Sequence, residues 1–482
     1  MTGEDPKLFE YIFNPSSVAV IGASENDAAA QALLKTKIRD RLFLVNPNYS
    51  EVRGKRCYRS ILGVENQIDY AVLRVAAAVV PRAIEECIQK GVKVAQIYTA
   101  GFSETGIPER VEMERKIREM ARGKIRLIGP NCLGVYCPRS GQSIAAESSE
   151  EEGGVGVVSQ SGSVAESLSY FGKTKNLKFS KVVSYGNAID LDAPDFLEYL
   201  ADDPETKIIA LYIEGPKDAP RLKAALNKAA GRKPVIAIKG GMTEQGMRAA
   251  SSHTGSMAAT PETWRALFKQ AGALQAESFE EMVNTLMAFV HSPIPRGNTL
   301  SIITSSGGFS VIQTDLCLRA GMEVPRFTEE TLDSLRRLVP IAGTSIGNPI
   351  DAWPVFSRVS GSGNLADVIQ VVAEDRNIHS LVFHFDQFRY LRRGLGSKIG
   401  AHMKVLIDLI IKGCRYAREV IGKPVMICVV LDPHHDDEEE RKYSLMIQRA
   451  LVENGFPVYS NLDATIRALA NLYRFNARLG RE

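Results

Sequence analysis

Short runs of aliphatic and β-branched residues alternate along this chain with amphipathic segments of helical length. SVAVIG (17–22), LFLV (42–45), DYAVLRV (69–75), KVAQIY (93–98) and IRLI (125–128) read as strands, and segments such as PRAIEECIQK as helices. Strands apolar on both faces and joined by helices predict a parallel, doubly wound α/β sheet. PRSGQSIAAESSEEEGG (138–154) is polar, acidic and rich in Gly and Ser, and reads as a linker or edge hairpin. A second set follows: GVGVVS, a helix from Ser163, KVVSYG, a helix from Ala193, KIIALYIEG, a helix near 218–229, and KPVIAIKGG. The proline-marked joint HSPIPRGN (291–298) opens a third, with TLSIITSSGG, HSLVFHF, a long helix near 397–419, KPVMICVVLD and FPVYSN. The expected domains are 1–140, 150–292 and 297–482, all of the α/β class.

Bulk properties agree with that division. At 482 residues, and roughly 100–200 residues per domain, about three domains are expected. The formal charge is +3, and no dense Lys/Arg run interleaves with aromatics, so neither nucleic acid nor a membrane surface is an expected partner. The longest apolar run, YAVLRVAAAVV, is interrupted by Arg74 and is too short to span a bilayer. Seven cysteines without CxxC spacing suit a reducing compartment. The acidic opening MTGEDPKLFEYIF lacks the basic and apolar regions of a signal peptide. A cytoplasmic location is expected.

Each stretch with candidate chemistry follows a strand, where ligands of open α/β sheets sit. In SVAVIGASEND, Gly22 lets the backbone turn and Ser24 can cap a helix whose free N–H groups attract a phosphate. A tight capped turn without a ligand fits the same residues. NAD is disfavoured, because there is no GxGxxG and Asn46 stands where a dinucleotide site wants an acid for the ribose hydroxyls. A phosphorylated ribose would repel such an acid, and coenzyme A has one. Arg53, Lys55 and Arg56 in EVRGKR either meet its phosphates or form a solvated basic turn.

SVAVIGAS, VNPNYSEVRG, TAGF and IRLIGPNCLG together resemble the CoA-binding domain of the NDP-forming acyl-CoA synthetases. That superfamily includes ADP-forming acetyl-CoA synthetases and the α subunit of succinyl-CoA ligase. The likeness continues through VGVVSQSGSV, SYGNAIDLD, LYIEG, RAASSHTGS, SSGG and IGNPIDA, over residues 8–352. It implies a Rossmann-like CoA-binding domain followed by two flavodoxin-like domains of the succinyl-CoA synthetase kind. The implied CoA grip comprises Gly22, Ser24, Asn46, Val75, Thr99, Asn131 and Cys132, with IGPNCLG near the thiol. Three departures stand out: ENDAAAQ replaces a Pro–Lys–Gly-type segment, Asn48 replaces a lysine, and VAAAVV lacks an expected proline.

Two further loops, VVSQSGSVAES with Gln160, Ser161, Gly162 and Ser163, and SIITSSGGFSV with Gly307 and Gly308, lie between a strand and a helix. Each is either a nest of N–H groups for a phosphate or a capped helix with glycines for close packing. RAASSHTGSMAAT (248–260) sets His253 among small, hydroxylated residues that leave its ring reachable. Glu214 in LYIEGPKD can accept a ring N–H and stabilise a charged imidazole, or be a solvated loop carboxylate. The resemblance makes RAASSHTGS a phosphohistidine loop and Glu214 the partner of His253. It implies that Ser161, Gly162, Gly307 and Gly308 cradle phosphate, and matches Asn348 and Asp351 to a motif of the third domain.

The implied reaction joins a small carboxylic acid to CoA through an acyl phosphate and phospho-His253. ATP or ADP with Mg²⁺ is expected at a separate ATP-grasp β-type subunit, because no lysine-bearing glycine-rich hairpin or acidic metal pair follows residue 352. A hetero-oligomer or an α-chain dimer is expected. DAWPVFS departs from the family's usual continuation after the Asn-Pro-x-Asp motif, and Trp353 is expected to shape a pocket for an acid other than acetate. His434 and His435 in LDPHHDDEEERK read as part of an acidic helix start, and His379 and His384 as strand-end packing; no metal site is expected. Two other classes compete: a CoA-binding regulatory or scaffold protein without ligase activity, and a nicotinamide dehydrogenase.

Overall fold

The computed structural model describes residues 7–143, 149–247, 260–305, 307–339, 345–356, 359, 363–386, 394–430 and 438–480. His253, with Ser252 and Ser256, lies outside the described residues, as do His434 and His435. The chain divides into two compact units, Met1–Met282 and Val283–Glu482.

The first unit holds two sheets. The N-terminal one comprises β1 (Val18–Ile21), β2 (Leu42–Val45), β3 (Glu51–Val52), β4 (Lys55–Tyr58), β5 (Tyr70–Leu73), β6 (Val94–Ile97) and β7 (Arg126–Ile128). Their order is β3-β4-β2-β1-β5-β6-β7, parallel except for the β3–β4 hairpin. The strands read as continuously apolar because successive residues feed two different cores. Val18, Val20, Leu44 and Val72 enter one, while Ala19, Val45, Ala71 and Leu73 enter the other. The order reverses at β1, so the crevice expected to take a ligand lies between the loops after β1 and β5.

IGPNCLG leads out of this sheet. The next strand, β8 (Gly134–Tyr136), pairs antiparallel with β10 (Phe179–Ser184) at the edge of the second sheet. That sheet also contains β9 (Glu152–Ser159), β11 (Ile208–Ile213), β12 (Val235–Lys239) and β13 (Leu274–Gln275), in the order β13-β12-β11-β9-β10-β8. One core runs through both sheets, from Val18 and Val72 to Val158, Val183 and Leu211.

The second unit is built on a five-stranded parallel sheet: β14 (Leu300–Thr304), β15 (Ile350–Asp351), β16 (Ser380–Phe385), β17 (Val425–Val429) and β18 (Val458–Tyr459), ordered β15-β14-β16-β17-β18. Its core gathers Ile303, Phe383, Phe385, Ile427 and Val458 with the inner faces of helices Leu365–Glu374 and Ile399–Arg415. No helix among the described residues is long and apolar enough to cross a membrane. All seven cysteines are free and buried.

Candidate active site

The loops at the carboxyl edge of the first sheet are locked to one another. Gly22 has φ +95°, and a Cβ on it would lie 2.4 Å from the Arg74 carbonyl oxygen and 2.9 Å from Val75 Cγ1. Only glycine lets the turn after β1 ride this closely on the end of β5. Asn46 ties the same turn to β2, its amide Nδ2 donating to the Ala23 carbonyl at 2.9 Å while Oδ1 accepts from Asn48 N. The Thr99 hydroxyl donates to the Val75 carbonyl at 2.6 Å, and Asn131 N donates to the Thr99 carbonyl at 2.9 Å. Gly22, Asn46, Val75, Thr99 and Asn131 therefore form one row along the edge. Cys132 is buried behind it, Sγ 3.5 Å from the Ile97 carbonyl, and burial raises its thiol pKa far above the ordinary range. It is a packing thiol, not a thiolate.

Ser24 does not cap the following helix. Asp27 does, accepting from Ala29 N, and the helix Ala28–Leu34 has only seven residues. Two further residues at this edge escaped the sequence reading. Arg74 Nε lies 2.5 Å from Asp27 Oδ1, and its guanidinium sits 3.8 Å from the centre of the Tyr98 ring. Asp27 Oδ2 is buried and makes no hydrogen bond among the described residues; burial raises this carboxyl above its ordinary pKa despite Arg74. The signal was the arginine breaking an apolar run. The basic turn EVRGKR is committed internally: Arg53 donates to the Glu25 carbonyl, Lys55 to the Arg39 carbonyl, and Arg56 covers the Tyr58 ring.

The loop Gly129–Leu133 wedges this edge against the second sheet. A Cβ on Gly186 would come within 2.2 Å of the Pro130 carbonyl oxygen, and one on Gly162 within 2.8 Å of Leu133 Cγ. Ser161 caps the helix Gly162–Lys175, which starts one residue before the expected Ser163, its hydroxyl accepting from Val164 N and lying 3.0 Å from the Ser163 hydroxyl. Gln160 reaches across the sheet. Its Oε1 accepts from Glu214 N at 2.8 Å and Gly215 N at 3.2 Å, so Ser161, Gly162 and Glu214 share one edge. The Tyr212 phenol donates to Glu214 Oε1 at 3.2 Å, and burial first, then Glu214, pushes its pKa up. The stretch containing His253 leaves this edge at Lys239–Gly240, the end of β12, and returns at Thr260, which caps the helix Pro261–Ala271.

In the second unit, Gly307 and Gly308 open the helix Gly307–Arg319. A Cβ on Gly307 would lie 2.6 Å from Asp351 Oδ2, whereas Gly308 faces open space. Asn348 is a strap, donating to the Leu300 and Pro325 carbonyls at 2.9 Å each. His384 Nδ1 meets Thr304 Oγ1 at 3.1 Å and Gln313 Nε2 at 3.0 Å, and burial lowers its pKa. His379 bonds to the Thr299 hydroxyl. Among the described residues no group of three or more His, Cys, Asp or Glu could hold a metal ion.

Residues 16–138 match the family model described as a CoA binding domain, and residues 152–289 the one described as a succinyl-CoA ligase like flavodoxin domain. The α subunit of acetate–CoA ligase [ADP-forming] I from Pyrococcus furiosus is 32% identical over 478 residues, covering 97% of both chains. The chain belongs to the NDP-forming acyl-CoA synthetase family. Another family member, the acetate–CoA ligase [ADP-forming] of Methanocaldococcus jannaschii, is 43% identical over 356 residues, 73% of this chain and 50% of that protein. The chain thus spans half the length of that synthetase. The dinucleotide forming acetyl-coenzyme A synthetase 1 of Ca. Korarchaeum cryptofilum, solved in complex with phosphate and ADP, superposes with a TM-score of 0.82 at 28% identity, over 97% of each chain.

Proposed function

We propose that this synthetase chain is the CoA-binding, phosphohistidine-bearing α-type subunit of an acid–CoA ligase, catalysing acyl-CoA + ADP + phosphate = acid + ATP + CoA reversibly. The carrying observation is the Gln160 bridge, which fixes Glu214 beside the serine–glycine turn on the edge from which the His253 stretch departs. The first edge suits coenzyme A. Gly22 allows close backbone approach, and the neutral Asn46, already spent on the Ala23 carbonyl, offers no carboxylate to repel a ribose phosphate. Gly22, Asn46, Val75, Thr99 and Asn131 would hold it, with Cys132 packing behind them. CoA supplies the thiol that leaves in one direction and attacks in the other.

In the direction of ATP formation, a phosphate oxygen attacks the thioester carbonyl and the thiolate leaves. His253 takes the phosphoryl group from the resulting acyl phosphate, releasing the carboxylate, and passes it to ADP. Glu214 accepts the imidazole N–H, fixes the tautomer and balances the cation formed during transfer. Ser161 and Gly162 present N–H groups to the phosphate; Gly307 and Gly308 open a helix of the second unit with the same kind of turn. ADP with Mg²⁺ belongs on this reading to an ATP-grasp β-type partner in the cytoplasm, and the acid is a small carboxylate. A relative named as an α subunit, aligned over 97% of its length, supports the division of labour.

The test is labelling with γ-labelled ATP, Mg²⁺ and the ATP-grasp partner. Acid-labile, alkali-stable label on the wild-type chain, absent in His253→Asn, is the expected result. Thioester formation at the wild-type rate by His253→Asn overturns the proposal, because a covalent relay cannot lose its carrier.

A further inference from the structure

Lys239 is the last residue of β12, paired in parallel register with Ile213 at the end of β11. It is 8% exposed. Its ammonium donates to the Gly240 carbonyl and sits 5.2 Å from the centre of the Trp264 ring. Gly240 begins the stretch that contains His253, and Trp264 lies on the helix to which that stretch returns. Both stems are therefore held by one side chain.

The charge on this side chain is not closed off. No carboxylate lies within ion-pair distance of it among the described residues; Glu214 attracts the ammonium from further away, while burial depresses its pKa more strongly. A buried cation without a direct counter-ion is costly, and a protein that keeps one gains something else from it. An ammonium has three N–H donors, and one is used here, on Gly240. The titratable group that acts on it is Glu214, just past the end of β11; Tyr212 is in register with Ile238 and so points to the other face of the sheet, and among the described residues of the helix it meets the uncharged Trp264 ring.

We propose that Lys239 is a further catalytic residue, the cation that receives the oxygens of a phosphoryl group brought to the Glu214 edge. This rests on the reading that His253 carries that group. Phosphorylation brings about two negative charges to a site that already holds the Glu214 carboxylate. An ammonium at the root of the same stretch offsets them, with its two remaining donors available to oxygen.

Two variants separate this role from a structural one. Lys239→Met replaces a buried, unpaired charge with an apolar chain of similar length, so it should unfold at the wild-type temperature or above. Its acid-labile labelling should fall by about 10²-fold, the scale of losing one charge-stabilising donor. Lys239→Arg should label near the wild-type rate at neutral pH. Because the lysine pKa is lowered, wild-type labelling should decline on the alkaline side, and the arginine should carry that decline to higher pH. Wild-type labelling by Lys239→Met, or parallel losses of stability and rate in both variants, overturns the assignment. If the wild-type chain takes no label on His253, the ligase reading is what has failed. Titration with inorganic phosphate then decides on Lys239: at least tenfold weaker binding in Lys239→Met supports it, and unchanged binding overturns it.

Discussion

The Gln160 side chain accepts both backbone N–H groups at Glu214 and Gly215, at 2.8 and 3.2 Å. A residue from the serine–glycine turn thereby sets the position of a carboxylate that leaves the neighbouring strand. Gln160 is 6% exposed, so nothing in solvent replaces it. Gln160→Leu keeps the bulk but leaves two N–H groups without an acceptor, which should cost about 1–3 kcal/mol in denaturant unfolding. Glu214 then loses its fixed position, and labelling of His253 should slow towards the rate of Glu214→Gln, a fall of about 10²-fold. Wild-type labelling in Gln160→Leu would show that Glu214 needs no such support.

A second prediction concerns Asp27 and Arg74. Asp27 is buried, and among the described residues its ionic partner is Arg74. Arg74→Met alone strands the carboxylate and should cost about 3–5 kcal/mol, whereas Asp27→Asn with Arg74→Met should recover most of that loss. The pair borders the crevice between the β1 and β5 loops, so calorimetric titration with CoA and with NAD belongs to the same experiment. CoA should bind the wild-type chain and NAD should not. Micromolar NAD binding with undetectable CoA binding would refute the assignment of the first domain.

This pair also marks where the sequence stopped being informative. The strands were legible because burial on both faces writes an unbroken apolar run, and DYAVLRV and KVAQIY contain β5 and β6, overrunning each end by one or two residues. Gly22, Thr99 and Asn131 stand in the quoted motifs, and their backbone contacts set them along the same edge. What the chain does not announce is how an odd residue in one loop meets an odd residue in another. ENDAAAQ and the arginine in YAVLRV each looked like a separate irregularity, yet Asp27 and Arg74 are one ion pair. A serine after a glycine turn is a common cap, which points to Ser24; the helix starts three residues later, and Asp27 takes the role. Lys239 was hidden in an ordinary strand ending, KPVIAIKGG, because a strand-end lysine usually faces solvent.

The last prediction is a pH dependence set by Asn187, which joins the second sheet to the first. Its amide Nδ2 donates to Glu104 Oε2 at 2.6 Å and to Glu114 Oε2 at 3.1 Å. Glu104 also accepts from Gly101 N and Phe102 N. Burial pushes the Glu104 carboxyl pKa up, but the Asn187 amide and these backbone N–H groups together pull it below the ordinary 4.5. A carboxyl whose pKa is lower folded than unfolded binds protons more readily when unfolded. Its contribution is therefore complete above the unfolded value and is lost as pH falls through the folded one. Asn187→Ala removes one of the donors responsible. Since Glu104 is half-buried, the loss at about pH 7 should be about 1–2 kcal/mol in urea unfolding. The gap between the two proteins should narrow as pH falls below the ordinary 4.5 and Glu104 protonates in both. A gap that stays constant across that range would mean that Asn187 acts through packing alone and that the carboxylate contact contributes nothing to holding the two sheets together.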